Sequence, residues 1–152
     1  MSITPSVIVF DVNETLSDMG PLADAFTRAG VPASLARLWF TEVFRDGFAL
    51  TSAGDNPAFA DLATDSLHRV VTQTLGPGDY LEQVDSIMGV FTNLSLHPDA
   101  APGILALSRI TELITLSNGG GIPPWPGLRP GRIFAAPQCS GRSPVETCPR
   151  SL

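Results

Sequence analysis

Val7-Ile8-Val9-Phe10-Asp11-Val12-Asn13-Glu14-Thr15 decides the fold of this 152-residue chain. An apolar, largely β-branched run ends in an acid, and a threonine follows four residues after that acid. Such a run predicts a fully buried parallel strand. Side chains at the carboxyl end of such a strand open on the crevice where α/β sheets bind ligands, so Asp11 is placed as a nucleophile would be. A second run, Leu113-Ile114-Thr115-Leu116-Ser117-Asn118-Gly119, ends in small hydrogen-bonding residues. It predicts a second strand whose end could lie beside Asp11.

Helical periodicity fills the interval between the two runs. Leu22, Ala25, Phe26 and Ala29 share a face, and Gly30 and Pro32 punctuate their end. Leu35, Leu38, Trp39, Glu42 and Val43 suit a second helix reaching about Leu50, and a loop with Gly54, Asp55 and Asn56 follows. Phe59, Leu62, Ala63, Leu67, Val70 and Val71 mark a third, closed by Gly76-Pro77-Gly78. Leu81, Val84, Ile87, Met88 and Phe91 mark a fourth. Asp99 suits the N-cap of a fifth, with Pro102 tolerated in its first turn. The order is strand, four helices, helix, strand. It predicts a Rossmann-like parallel α/β core, incomplete, carrying an inserted α-helical cap. Residues 1–16 and 98–119 would form the core and residues 17–97 the cap.

Net charge is −6 and the hydrophobic fraction 43%. A soluble globular protein is expected, with no attraction to nucleic acid or to an anionic membrane. No apolar run approaches the roughly 18 residues a membrane helix needs. Met-Ser-Ile-Thr-Pro has no basic n-region, and Asp11 interrupts the first apolar stretch, so a cytoplasmic location is expected. Cys139 and Cys148 have no histidine near and no zinc-like spacing, and read as unrelated free thiols.

The chain changes character near residue 120. From Gly120 to Leu152, seven of 33 residues are proline and five are glycine. This stretch holds four of the nine arginines, both cysteines and a single acid, Glu146. Neither a 2-residue nor a 3.6-residue apolar period survives there, and Pro123, Pro124 and Pro126 oppose a helix. Residues 120–152 are therefore expected to be irregular and disordered. Two origins fit: a native Pro/Gly-rich extension, or out-of-frame translation beginning around Gly119 to Gly121.

The two strand ends together resemble the haloacid dehalogenase-like hydrolase superfamily. Its Asp-x-x-x-Thr motif is matched by Asp11 and Thr15, and its strand ending in Ser-Asn by Ser117 and Asn118. The likeness covers residues 1–119 and is greatest to the type II 2-haloacid dehalogenases. It implies an (S)-2-haloacid dehalogenase chemistry, in which Asp11, as a buried carboxylate, displaces halide from C2 of a short 2-haloalkanoate through an ester intermediate. Thr15, Ser117 and Asn118 would hydrogen-bond the carboxylate or the substrate. Val12, Asn13, Trp39 and Phe40 would line the substrate site, with backbone N–H groups after Asp11 holding developing charge. The partner would be a small 2-haloacid or organic acid. No cofactor is needed, and a homodimer is one possible assembly.

Asn13 bears on the choice of substrate. Phosphatases of this superfamily usually carry Asp two residues after the nucleophile, to protonate the leaving alcohol. An amide cannot do so, and halide leaves without a proton. The chain also departs from the dehalogenase pattern. Leu38-Trp39 is followed by Phe40 where that group has Arg, and Arg37 and Arg45 read as exposed helix charges. Glu14 reads as a solvated charge facing away. His68 and His97 read as non-catalytic. There is no lysine anywhere, although the family's third motif requires one. The final acidic motif has no match in a tail whose single acid is Glu146. Two alternatives therefore stay open: a Mg²⁺-dependent small-molecule phosphatase, and a non-catalytic truncated remnant.

Overall fold

The computed structural model describes residues 5–117 and 129–130. Strand β1 (Val7–Asp11) leads into helices α1 (Gly20–Arg28), α2 (Leu35–Ser52), α3 (Phe59–Leu75) and α4 (Leu81–Thr92). Helix α5 (Ala100–Leu107) and strand β2 (Glu112–Leu116) follow, then a two-residue strand β3 (Arg129–Pro130). The sheet order is β1-β2-β3, all parallel, with Asp11 registered on Leu116. The architecture is α/β with an incomplete sheet core and a helical insertion.

Local chemistry explains the helix boundaries. Pro21 sits in the first turn of α1, where its missing N–H costs nothing. Gly30 ends that helix in the left-handed region, at φ +79°. Its N–H bonds the Thr27 carbonyl while the Val31 N–H bonds Phe26, so two otherwise orphaned carbonyls are satisfied. Gly54 closes α2 in the same way, at φ +86°. Asp99 occupies the N-cap position of α5, but its side chain makes no capping bond.

The four inserted helices share one core. α1 contacts α2 and α4, and α3 also contacts both α2 and α4. Trp39 lies at the centre, fully buried, with Phe26 and Phe91 rings at 5.8 and 5.3 Å. Its indole N–H donates to the Ala63 carbonyl at 3.1 Å, which joins α2 to α3 and satisfies a buried donor. Outside this core, Asp46 accepts from Arg45 on the same helix and from Arg69 on α3. The chain enters and leaves the helical unit side by side. Ser17 and Leu96 form an antiparallel bridge, flanked by bonds from Asp18 N–H to Ser95 O and from His97 N–H to Leu16 O, at 2.8 and 2.9 Å.

The sheet has a smaller core of Leu16, Ile104 and Leu113, with Ile8, Phe10, Leu96 and Leu107 packed against it. This cluster covers one face alone. On the other, Val7 is 41% and Val9 56% exposed. The expected fully buried β1 is therefore corrected: it alternates between packed and open positions, because α5 and its neighbours lie on a single side.

A second correction concerns Arg129 and Pro130, within the stretch expected to be irregular. They pair with Ile114 and Thr115, because the outer edge of β2 offers unpaired backbone groups to any strand that reaches it. Proline, without an N–H, suits such an edge. The remainder of the tail, and Asn118, lie outside the described residues. No described helix is long and apolar enough to cross a membrane.

Candidate active site

Parallel register brings the two candidate strand ends together. Asp11, the last residue of β1, is registered on Leu116, so Ser117 follows directly beside it at the same carboxyl edge. Thr15 Oγ1 donates to Asp11 Oδ2 at 2.9 Å. The tight loop between them makes that bond possible. Leu16 and Ser17 N–H groups both bond the Val12 carbonyl, at 2.9 and 3.0 Å, and the Ser17 hydroxyl adds a third bond to it at 3.1 Å. The chain thus doubles back immediately after β1 and returns Thr15 to the acid.

Asp11 is exposed, which corrects the expectation of a buried carboxylate. Nothing described covers the strand edge above it. Ser117 is buried and hydrogen-bonded or otherwise paired, and Asn13 is half-buried. Val12 is buried, with its carbonyl occupied as above, so it has little surface for a ligand. Trp39 has none: it is fully buried, its indole in tilted and edge contacts with Phe26, Phe40 and Phe91. The expectation that Trp39 lines the site is thereby corrected, because a ring of that size is needed to fill the space between α1, α2 and α4.

Phe40 is buried in the same core, against Trp39, Phe44 and Phe91, and only its edge reaches the surface. It lines a groove of about 710 Å³ between the loop after β1 and the start of α2. Glu14 reaches this groove from the loop, Met19 and Leu22 from the entry and first turn of α1, and Ala36 and Arg37 from α2. Glu14 is the one described non-glycine residue with positive φ, at +62°. Such a conformation costs about 1 kcal/mol or more and is held by its surroundings. Glu14 and Arg37, expected to be solvated charges, are both exposed. Arg37 borders the groove from one helical turn before Phe40. Arg45 behaves as expected of a structural charge: it pairs with Asp46 at 2.8 Å and with Glu42 at 3.5 Å. Among the described residues no three His, Cys, Asp or Glu side chains converge as metal ligands would.

A parallel sheet with an acid and a serine at adjacent strand ends, and helices inserted after the first strand, is the haloacid dehalogenase-like fold. The L-2-haloacid dehalogenase from Xanthobacter autotrophicus superposes on this chain with a TM-score of 0.68 at 24% identity. The match covers 77% of this chain and 48% of that one. The same enzyme with chloropropionic acid covalently bound gives a TM-score of 0.67, at 24% identity over 77% of this chain and 48% of that one. The L-2-haloacid dehalogenase PA0810 gives 0.63 at 25% identity, covering 76% of this chain and 52% of that one. The chain thus spans about half the length of the solved structures it matches. No protein-family model matches the sequence, and no curated protein matches it.

Proposed function

We propose that Asp11 is the nucleophile of a hydrolase that removes halide from C2 of a short 2-haloalkanoate. The observation that carries this reading is the exposed carboxylate at the end of β1, held by Thr15 through one oxygen. Thr15 occupies Oδ2 and leaves Oδ1 to attack. A bond forms from Oδ1 to C2 as the carbon–halogen bond breaks, and halide departs with the bonding electrons. Attack opposite the leaving group inverts C2. Water then adds to the carboxyl carbon of the Asp11 ester. The ester bond breaks, releasing a 2-hydroxy acid and a proton and restoring the carboxylate.

The covalently bound chloropropionic acid in the Xanthobacter enzyme supports a covalent step. Asn13 favours halide over phosphate ester as the leaving group, since its amide has no acidic proton to give an alkoxide. In this reading Ser117, next along the chain from the register partner of Asp11, bonds the substrate carboxylate.

The test is direct. The folded chain is incubated with 2-chloropropionate, digested, and searched by mass spectrometry for an ester on the peptide holding Asp11, while free chloride is measured. Asp11→Asn should abolish both signals, a loss of at least about 10³-fold, with the unfolding free energy from urea titration changed by no more than about 0.5 kcal/mol. Chloride release by that variant, with deamidation excluded, would remove Asp11 from the reaction. Well-folded wild-type chain that yields neither adduct nor chloride would favour the non-catalytic reading.

A further inference from the structure

We propose that the free edge of β1 is a self-pairing interface. Two copies of this chain join their β1 strands antiparallel, about a two-fold axis at Val9, into one continuous sheet.

The backbone carries the argument. Among the described residues β1 pairs with β2 alone, so its other edge is open. The Glu112 N–H donates to the Ser6 carbonyl at 3.3 Å. With that bond and the parallel register, Ser6, Ile8 and Phe10 turn their backbone groups toward β2. Val7, Val9 and Asp11 therefore turn theirs to the open edge, where a row of unpaired donors and acceptors is a template for another strand. Proline, glycine and lysine usually blunt such an edge, and Val7–Asp11 contains none of them.

The strand is its own complement. Antiparallel pairing centred on Val9 sets Val9 against the partner's Val9, and Val7 against the partner's Asp11. These are the outward-facing residues, so each pair can exchange both of its backbone bonds. Such a pairing uses the same patch on both copies and closes with two. Val9, 56% exposed, gains a β-branched neighbour across the join, and the partner's Val7 covers the open flank of Asp11.

Charge favours edge pairing over stacking of the two open faces. Register partners share a face, so Asp11 and Glu112 lie on the same face as Val7, Val9 and Leu116. Stacking two such faces would press the acids of both copies into a desolvated layer. Edge pairing keeps the two Asp11 residues about 14 Å apart, beyond the screening length of about 8–10 Å. Glu112 then sits about 10 Å from the partner's Asp11, across Val7, so added salt should tighten the pair.

The experiment uses the full 152-residue chain from about 10 µM to about 1 mM, with mass followed by sedimentation and amide exchange by NMR. A dimer should form as concentration rises, and the Val7, Val9 and Asp11 amides should then exchange at least about tenfold more slowly. The Ile8 and Phe10 amides, already bonded to β2, should change less. Val9→Lys sets two cations directly opposite each other and should weaken the dimer by about tenfold or more, with helical circular dichroism retained. Val9→Ile should keep it. A chain that stays monomeric throughout would overturn the proposal. So would a dimer that ignores Val9→Lys, or one in which the Val7, Val9 and Asp11 amides exchange as in the monomer, since it would use another surface. Protection of those amides that is independent of concentration would overturn it too, by showing that the chain covers its own edge.

Discussion

Trp39 in α2 and Val9 in β1 are both apolar residues of regular elements, yet Trp39 is fully buried and Val9 is 56% exposed. The contrast extends to their surroundings. Fourteen described residues, from Leu22 to Ile87, bury one another in the helical insertion, against three in the sheet cluster. A helix completes its backbone hydrogen bonds within itself and needs partners for one stripe. A parallel strand needs neighbours on both edges and cover on both faces. The helical unit satisfies its demands from a continuous stretch of chain. The sheet depends on segments far away in sequence, and the structures it resembles are about twice as long.

The comparison can be broken first at its centre. Trp39→Ala should cost about 3–5 kcal/mol, by opening a cavity and removing the indole bond that ties α2 to α3. Urea unfolding followed by helical circular dichroism measures this. A loss below about 1 kcal/mol would mean that the helical core is not the stable half of the molecule.

A smaller effect of opposite sign is expected at Ser66. Its hydroxyl is fully buried in the same core and has no hydrogen-bond partner. Ser66→Ala removes an unsatisfied polar group and should stabilise the chain by about 1 kcal/mol. A lower urea midpoint would show that the hydroxyl is satisfied in solution.

On the sheet side, Val9→Thr keeps a β-branched residue while making the open face more polar. Stability should change by less than about 0.5 kcal/mol, and light scattering at high concentration should fall. A large loss of stability would show that this face is covered rather than open.

The smallest effect concerns pH. Burial raises the Asp46 carboxyl pKa, but hydrogen bonds from Arg45 and Arg69 outweigh it and hold the pKa below its ordinary 3.8. Because the folded pKa is depressed, the contribution is present above about pH 4 and is lost as pH falls through the folded value. Both arginines are largely exposed, so the contribution should be under about 1 kcal/mol. Asp46→Asn should flatten the acid limb of the stability curve by that amount. An unchanged acid limb would show the pair to be energetically silent.

All five helices were legible from local pattern, because each carries its own apolar period and most carry a terminator such as Gly30 or Gly76. The position of Asp11 at a strand end was legible for the same reason: a β-branched run ending in an acid needs no distant partner to be read. What the residues around the site do was less legible. Trp39 and Phe40 are adjacent in sequence and both are buried in the helical core, but a step of one residue along α2 turns a side chain by about 100°, so that Phe40 alone of the two also borders the groove. No periodicity rule decides between them without knowing where α1 and α4 lie.

The sequence alone determined the order of elements, the acid at the end of β1 and the threonine that bonds it, since these depend on neighbours along the chain. Only the tertiary structure decided that Asp11 is exposed, that Val7 and Val9 lie open, and that Arg129 and Pro130 pair with β2. It also brought Glu14 and Arg37 into one groove. Each of these depends on which remote segments reach a given face or edge, and local propensity contains no information about that.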